Sequence, residues 1–395
     1  MDYGREVVVL SGVRTAIGDY GGALKDLAPT ELAARVVREA VSRAKVAPED
    51  VGHAVFGNVI HTEAKDMYLS RVASINGGLP KETPALTLNR LCGSGLQAII
   101  SAAQTIMLGD ADVALGGGAE SMSRGGHLMP TARWGIRMGD AQLTDMMVGA
   151  LTDPFDTVHM GITAENVAAK WEVTRQQQDE LALESNRRAV NAIQKGYFKD
   201  QILPIEIKSR KGVVVVDTDE HPRADASLES LAKLKTVFKA DGTVTPGNAS
   251  GINDGAAAVI LMERKAAEKR GLKPMARLVA YAHAGVDPKY MGIGPVPAVK
   301  KAMERAGLKV SDMDVIESNE AFAAQACAVA KDLGFDLKKV NPNGGAIALG
   351  HPIGATGCIL TVKAVYELQR TGGRYGLVTM CIGGGQGIAA IYERL

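Results

Sequence analysis

The sequence predicts an α/β protein built from two similar halves. Strand-like and helix-like segments alternate through the first third, which is typical of a largely parallel sheet covered by helices. The order also recurs: Cys92-Gly-Ser-Gly and Gly354-Ala-Thr-Gly each precede a helix, a strand and three glycines, Gly116–Gly118 and Gly383–Gly385. We expect a ligand between the two halves, outside the carboxyl ends of the strands.

Apolar periodicity and turn residues place the elements of the first third. The predicted order is a buried strand at Val7–Leu10, a helix from Pro29 to about Lys45, a strand at His53–Gly57, a helix at Asp66–Asn76, an extended segment at Pro84–Asn89, a helix after Cys92 and a strand at Asp112–Leu115.

The alternation is lost from about Glu120 to Ser250, a long excursion that contains two helices within Thr163–Lys195. It resumes with a strand at Gly255–Met262, a helix through Arg270, strands at Ala276–Tyr281, Val315–Glu317 and Gly376–Met380, and helices near 297–306, 320–333 and 355–370. We therefore expect three domains: residues 1–120 with 251–272, an inserted domain at 121–250, and residues 273–395.

Composition limits the classes of function. The net charge of +1 on 395 residues gives no global field that would attract nucleic acid or an acidic membrane. No segment reaches the roughly 18 consecutive apolar residues of a membrane span, and strand-like residues from Val7 leave no room for a signal peptide. The four cysteines form no C-x-x-C pair, so we expect a reducing, cytoplasmic location.

The first candidate for chemistry is Cys92, which lies in a glycine-rich turn before a helix. Unpaired N–H groups at a helix start favour a thiolate, and an ordinary thiol, with a pKa of about 8.5, needs such help near pH 7. A buried structural cysteine is an equally good interpretation of this residue alone.

Three further motifs place polar groups on short turns: Asn319-Glu-Ala-Phe, Gly350-His351 and Cys381 before Gly383. Taken singly, these residues have structural interpretations, as a helix cap, a turn histidine and a core cysteine. Together with Cys92 they supply a nucleophile, a base or oxyanion donor, an orienting amide and a second base.

In this order and spacing the four motifs resemble those of the thiolase family, most closely the bacterial biosynthetic β-ketothiolases. The resemblance covers residues 5–395 and includes Ala164–Ala168 and Gly247–Gly251. It implies a five-layered αβαβα core of two similar halves with an inserted loop domain. It also implies reversible Claisen condensation of two acetyl-CoA, or of acetyl-CoA and a short acyl-CoA, through an acyl-cysteine. Coenzyme A thioesters would be the substrates, with no further cofactor and no metal, and the protein would be a homotetramer.

The resemblance also implies roles for the site residues. Cys92 matches the acylated nucleophile, His351 the imidazole that activates it, and Cys381 the base that removes a proton from the α-carbon of the second acetyl-CoA. Asn319 matches a residue of the same oxyanion site as His351. The backbone N–H groups of Cys92 and Gly383 match a second oxyanion hole.

Substrate contacts are carried over by the same resemblance. The matching positions are Ser250 and His159 for pantetheine, Arg223 and Ser230 for the nucleotide, and Leu151, Met160, Met291 and Phe322 for the acyl group. Ordinary core packing explains the apolar four equally well. Lys208, Arg210 and Lys211 form a basic cluster that would bind phosphates in one interpretation. In the simpler interpretation it is a solvent-exposed surface. Ala16 and Thr356 depart from the family's usual Pro and Ser, and neither is expected to touch the chemistry.

Other functions stay open at this point. A degradative 3-ketoacyl-CoA thiolase for longer chains would use the same catalytic residues, and a non-catalytic CoA-binding protein would use none of them. A condensing enzyme acting on acyl carrier protein fits less well because two cysteines replace its Cys-His-His or Cys-His-Asn pattern. Gly93-Ser-Gly-Leu-Gln-Ala98 imitates a dinucleotide loop, but a clear acidic partner is missing. The other histidines show no ligand spacing for a metal.

Overall fold

The structure, a computed structural model, describes residues 4–209 and 212–395. Its strands are β1 Val7–Thr15, β2 Gly18–Asp19, β3 Val51–Gly57, β4 Ala85–Leu88, β5 Val113–Ser121, β6 His127–Leu128, β7 Thr144–Asp145, β8 Ile202–Leu203, β9 Ile205–Ser209, β10 Gly212–Val216, β11 Asn253–Glu263, β12 Ala276–Gly285, β13 Val315–Ser318, β14 Tyr375–Ile382 and β15 Gln386–Arg394. Its α-helices are α1 Pro29–Ala44, α2 Leu69–Asn76, α3 Ser94–Leu108, α4 Met146–Ala150, α5 Met160–Trp171, α6 Arg175–Gln194, α7 Leu228–Ala232, α8 Arg264–Lys269, α9 Pro295–Ala306, α10 Ala323–Leu333, α11 Ala346–Leu349 and α12 Ile353–Thr371.

The strand order shows two matching halves. It reads β13-β14-β15-β12-β1-β11-β5-β3-β4, so that β12, β15, β14 and β13 mirror β1, β11, β5 and β3. The halves meet where β1 pairs with β12 over only two residue pairs, Val8 with Arg277 and Val9 with Ala276. The α/β fold of two similar halves is confirmed.

Helices separate and cover the two half-sheets. Helices α3 and α12 pack on each other, with α3 against β5 and α12 against both β5 and β14. Helix α1 covers the first half-sheet and α9 covers the second. The layers are therefore helix, sheet, helix, sheet, helix. Both central helices begin at one edge of the fold, directly after the turns that carry Cys92 and His351.

Several predicted features are wrong in detail. The sheet is mixed: β1, β11 and β5 are antiparallel neighbours, as are β12, β15 and β14. Gly116–Gly118 lies inside β5, and glycines are needed there because side chains would collide with α3, Phe56 and the first turn of α12. The sequence prediction also missed β15, and the helix expected from residue 320 begins at Ala323.

One helix has the length and mean hydropathy of a membrane span, although polar residues interrupt its apolar sequence. Among the described residues, Leu91–Leu108 is long and apolar enough to span a membrane, with a mean hydropathy of 1.4. This stretch is α3, and Leu96, Ala98, Ile99 and Ile100 on it are fully buried in the protein core. Its hydropathy follows from its place in the central helical layer.

Candidate active site

The turn that carries Cys92 is compact and lies against the end of β14. β4 ends at Leu88, α3 begins at Ser94, and Cys92 lies between them. Gly93 lies against the Ile382 side chain, since a Cβ at Gly93 would lie 2.6 Å from Cδ1 of Ile382. The last residues of β14 therefore touch the nucleophile turn directly.

Cys381 is the second sulfur at this place. It is fully buried in β14, which ends one residue later and returns as β15 through Gly383–Gly385. A Cβ on Gly383 would lie 2.7 Å from Cε of Met160 and 3.2 Å from Cδ1 of Leu91. The glycine turn thus lies next to the residue that precedes Cys92.

The two sulfurs interact electrostatically. The N–H groups of Gly383 and of Cys92 itself face the Cys92 sulfur and favour its thiolate, but burial outweighs them and raises the pKa of this thiol to about 11. The expected effect of the N–H groups on this pKa is therefore present but smaller than the effect of burial. Burial also raises the pKa of Cys381, and negative charge on Cys92 raises it further, so both resting sulfurs are thiols.

His351 lies between α11 and α12 in a turn fixed by Asn253. Oδ1 of Asn253 accepts the His351 N–H at 2.9 Å, and Gly350 has φ +105 with no room for a side chain beside Asn253. Burial lowers the pKa of His351 to about 4, so its imidazole is neutral near pH 7. Ile353, two residues later, belongs to the apolar cluster that includes Cys92.

Thr356 sets the tautomer of His351, contrary to the expectation that this position does not touch the chemistry. Its Oγ1 lies 2.7 Å from Nδ1 of His351 and donates its own hydrogen to the carbonyl of Pro352 at 3.0 Å. The hydroxyl must therefore accept the Nδ1–H, which leaves Nε2 as the basic nitrogen. The sequence prediction missed this role because helical spacing alone does not show which residue faces an imidazole one turn earlier.

Asn319 faces the basic nitrogen of His351. Nδ2 of Asn319 lies 3.5 Å from Nε2 of His351, while its Oδ1 is buried and has no hydrogen-bond partner in the described parts of the chain. The backbone is fixed on both sides, because the Asn319 N–H donates to Thr379 and its carbonyl accepts from Gln325. Asn319 does not cap α10, which has Phe322 as its N-cap.

Glu320 and Asn341 support this turn from behind, and their roles were missed at the sequence level. Glu320 accepts from the Ser185 hydroxyl at 2.7 Å and from Nδ2 of Asn341 at 2.8 Å. Asn341 also bonds to both the N–H and the carbonyl of Ser318. The loop before Asn319 is thereby joined to α6 of the excursion.

The residues expected around the acyl group divide between two apolar clusters. Met160, Met291 and Phe322 pack in one cluster with Cys381, and Leu151 packs in the cluster that includes Cys92. The structure therefore places each of the four in an apolar cluster that includes one of the two cysteines.

A row of aromatic rings leads into the first of these clusters. Phe238 stacks on His159 with ring centroids 4.5 Å apart and meets Phe322 edge-on at 6.3 Å. Ser250 lies beside the row, since its N–H donates to the carbonyl of Ala321 at 3.0 Å. Phe238 was not predicted, although it is the one aromatic residue in the polar stretch 228–248.

Arg223 and Ser230 line a cavity of about 170 Å³ with His221 and Gly247. Both side chains are exposed, and the structure groups them with each other rather than with the sulfurs. Lys208 is exposed on β9, while Arg210 and Lys211 lie outside the described residues.

The chain matches two family models, "Thiolase, N-terminal domain" over residues 7–265 and "Thiolase, C-terminal domain" over residues 272–394. The chain belongs to the thiolase family. It is 70% identical to the beta-ketothiolase BktB of Cupriavidus necator, over 99% of this chain and 100% of the relative.

Solved thiolase structures match along the whole chain. The acetyl-CoA acetyltransferase of Bacillus anthracis superimposes with a TM-score of 0.97 at 46% identity, covering 99% of both chains. Human mitochondrial 3-ketoacyl-CoA thiolase in complex with CoA superimposes with a TM-score of 0.96 at 47% identity, covering 99% of this chain and 98% of the human one. The thiolase-like fold predicted from the sequence is confirmed.

The hydrogen bond between Thr356 and His351 can be tested by Thr356→Val, which keeps the side-chain shape and removes the acceptor. Leaving a buried donor unpaired costs about 1–3 kcal/mol, so we expect kcat/KM to fall by roughly tenfold or more. Thr356→Ser is the matched control because it keeps the hydroxyl, and its activity should stay close to that of the wild type. Equal activities of the two variants would show that Thr356 does not orient His351.

Proposed function

We propose that this thiolase is an acetyl-CoA C-acetyltransferase, or β-ketothiolase. It would join two acetyl-CoA, or acetyl-CoA and a short acyl-CoA, into a 3-ketoacyl-CoA and free CoA, reversibly and through an acyl-enzyme. The observation that carries the proposal is the pair of interacting sulfurs, one of which faces two backbone N–H groups. The 70% identity to a beta-ketothiolase supports it.

In the proposed first half-reaction, Nε2 of His351 takes the proton of Cys92, and the thiolate attacks the thioester carbonyl carbon. The N–H groups of Cys92 and Gly383 stabilise the resulting oxyanion; one such donor is typically worth roughly 10²–10³ in rate. The C–S bond to CoA then breaks, and the leaving CoA sulfur takes the proton of Cys381. The products are acyl-Cys92, an imidazolium and a Cys381 thiolate.

In the second half-reaction, the Cys381 thiolate takes a proton from the α-carbon of the incoming acetyl-CoA. His351, now protonated, and Asn319 stabilise the enolate oxygen. The enolate carbon attacks the acyl carbon on Cys92, the C–S bond breaks, and the Cys92 sulfur recovers its proton from His351. A Cys92 thiolate would oppose ionisation of Cys381, and acylated Cys92 carries no charge, so the Cys381 thiolate forms once Cys92 is acylated.

Acyl-enzyme trapping tests this division of roles. Cys92→Ala should form no covalent adduct with acetyl-CoA, because the sulfur that carries the acyl group is gone. Cys381→Ala should still acylate slowly but should not condense or cleave. Mass spectrometry of the intact protein after quenching measures the adduct. A Cys381→Ala variant that never acylates, although folded, would contradict the assignment.

We propose short acyl-CoA substrates because Met160, Met291 and Phe322 fill the surroundings of Cys381. Thiolysis should then be faster for acetoacetyl-CoA than for a 3-ketoacyl-CoA of eight carbons, by roughly tenfold or more in kcat/KM. The reverse order would favour a degradative thiolase for longer chains.

We propose a homotetramer that works in the cytoplasm. The excursion carries exposed apolar residues, of which Trp134 and Met138 are 88% and 95% exposed, as is typical of a subunit contact. Light scattering should give the mass of four chains, and Trp134→Asp should lower it; a wild-type monomer would refute the proposal. The four cysteines are free thiols, in keeping with a reducing compartment.

A further inference from the structure

Glu120 is a buried carboxylate on the first half-sheet that accepts four hydrogen bonds from N–H donors. It is the penultimate residue of β5 and is fully buried. Its Oε2 accepts the N–H of Val59 at 3.1 Å and that of Gly354 at 2.8 Å. Its Oε1 accepts the N–H of Ile60 at 3.0 Å and one from Nδ2 of Asn58 at 3.1 Å. Each carboxylate oxygen therefore accepts two hydrogen bonds.

This set of donors fits the ionised form of Glu120. Burial raises the pKa of the carboxyl group to about 8, and the N–H groups of Ile60, Val59 and Gly354 oppose that rise. Protonation would place a hydrogen on an oxygen that already faces two N–H groups. All four hydrogen bonds are therefore made in full only by the carboxylate.

One of the four hydrogen bonds ties Glu120 to the helix that follows His351. Gly354 lies in the first turn of α12, three residues after His351. N–H groups at a helix start have no partner within the helix, and Pro352, the N-cap of α12, makes no side-chain capping bond. A Cβ on Gly354 would lie 2.5 Å from Oε2 of Glu120, so the glycine lets the carboxylate reach the backbone. Glu120 thus caps α12 from a neighbouring strand, where its negative charge also matches the helix dipole.

The other three hydrogen bonds tie Glu120 to a segment that packs beside Cys92. Residues 58–60, which supply these donors, follow directly on β3. Ile60 packs with Ile353 in the apolar cluster that includes Cys92. One carboxylate therefore joins a segment beside the nucleophile to the start of α12.

We propose that Glu120 is a positioning residue that holds the start of α12, and with it His351, in place to take the proton of Cys92. This inference rests on the proposed acyl transfer to Cys92. Because Glu120 is fully buried and bonded to backbone N–H groups, it acts through Gly354 rather than on the substrate.

The charge of Glu120 and its positioning role have opposite effects on acylation. After burial and the N–H groups, the negative charge of Glu120 is a further influence on the Cys92 thiol, and it raises the pKa of that thiol. Loss of the charge alone would ease formation of the thiolate and so favour acylation. Loss of the hydrogen bonds would displace His351, and a general base is typically worth roughly 10²–10⁴ in rate. The sign of the change therefore separates the two roles.

Glu120→Gln tests the role because it keeps the side-chain shape but replaces one acceptor oxygen with an amide group, which then faces two N–H groups. Acyl-enzyme formation from acetyl-CoA is followed by rapid quench and mass spectrometry at about pH 9, above the pKa of Glu120. We expect the rate at saturating acetyl-CoA to fall by roughly tenfold or more. The half-saturating concentration should change little, because the proposed CoA contacts lie on the excursion.

Two comparisons show whether the loss acts through His351. In a His351→Ala background, which acylates slowly, Glu120→Gln should not slow acylation further, since the imidazole that it would displace is absent. Glu263→Gln is the matched control. Glu263 is a buried carboxylate at the far end of β11, where it caps α8 through the N–H of Ala266, and this variant should acylate normally.

The outcomes separate this inference from the proposed function. A wild-type protein that forms no acyl-enzyme would refute the proposed function. If the wild type acylates, an unchanged or faster rate for folded Glu120→Gln overturns the role of Glu120, as does an equal loss in both backgrounds. Should Glu120→Gln fail to fold, Gly354→Ala keeps the carboxylate and pushes the first turn of α12 away from it; it should slow acylation severalfold, and a normal rate would overturn the inference.

Discussion

The site depends on backbone contact between the two central helices. A Cβ on Gly357 of α12 would lie 2.2 Å from the Leu96 nitrogen of α3, and one on Gly95 would lie 2.7 Å from the Cys358 nitrogen. Only glycine permits this approach. Because the helices cross near their first turns, the segments before them, which carry Cys92 and His351, are brought to the same edge of the fold. A larger residue at either glycine would move the two helices apart and so separate Cys92 from His351.

Burial then determines the resting charge of the site. It raises the pKa of both thiols and lowers that of the imidazole, so Cys92, Cys381 and His351 are all neutral in the free protein. During the reaction, charges would arise only in pairs, as the imidazolium of His351 with a cysteine thiolate. Two backbone N–H groups already face the Cys92 sulfur at this place. A dry, neutral site with fixed donors suits the formation of oxyanions and enolates, which water would otherwise stabilise only after reorganising.

Much of the fold and the identities of the candidate residues could be predicted from the sequence. The predicted end of helix α1 is within one residue of the observed end, and Cys92, His351, Asn319 and Cys381 are recognisable as polar groups on short turns beside glycine or a helix start. The predictions that failed concern features that depend on tertiary packing, which no local sequence pattern encodes. Gly116–Gly118 has the composition of a turn, yet it forms a strand that pairs with β3 and β11, and its glycines let α3 and α12 approach closely.

The supporting residues were missed for a similar reason. Thr356 faces His351 and Phe238 faces His159, and the direction of each side chain is settled only when the turn before α12 and the excursion are folded. The antiparallel pairing of β11 was also hidden, since the excursion separates it from its partners β1 and β5.

The central claim is that Cys381 removes a proton from carbon while Cys92 carries the acyl group. Deuterium uptake from D₂O into the methyl group of acetyl-CoA measures that proton removal directly, and acetyl exchange between acetyl-CoA and labelled CoA measures acyl transfer to Cys92 without proton removal from carbon. For Cys381→Ala, the account predicts that deuterium uptake falls by about 10²-fold or more, while acetyl exchange continues at a reduced rate. Wild-type deuterium uptake by this variant would contradict it.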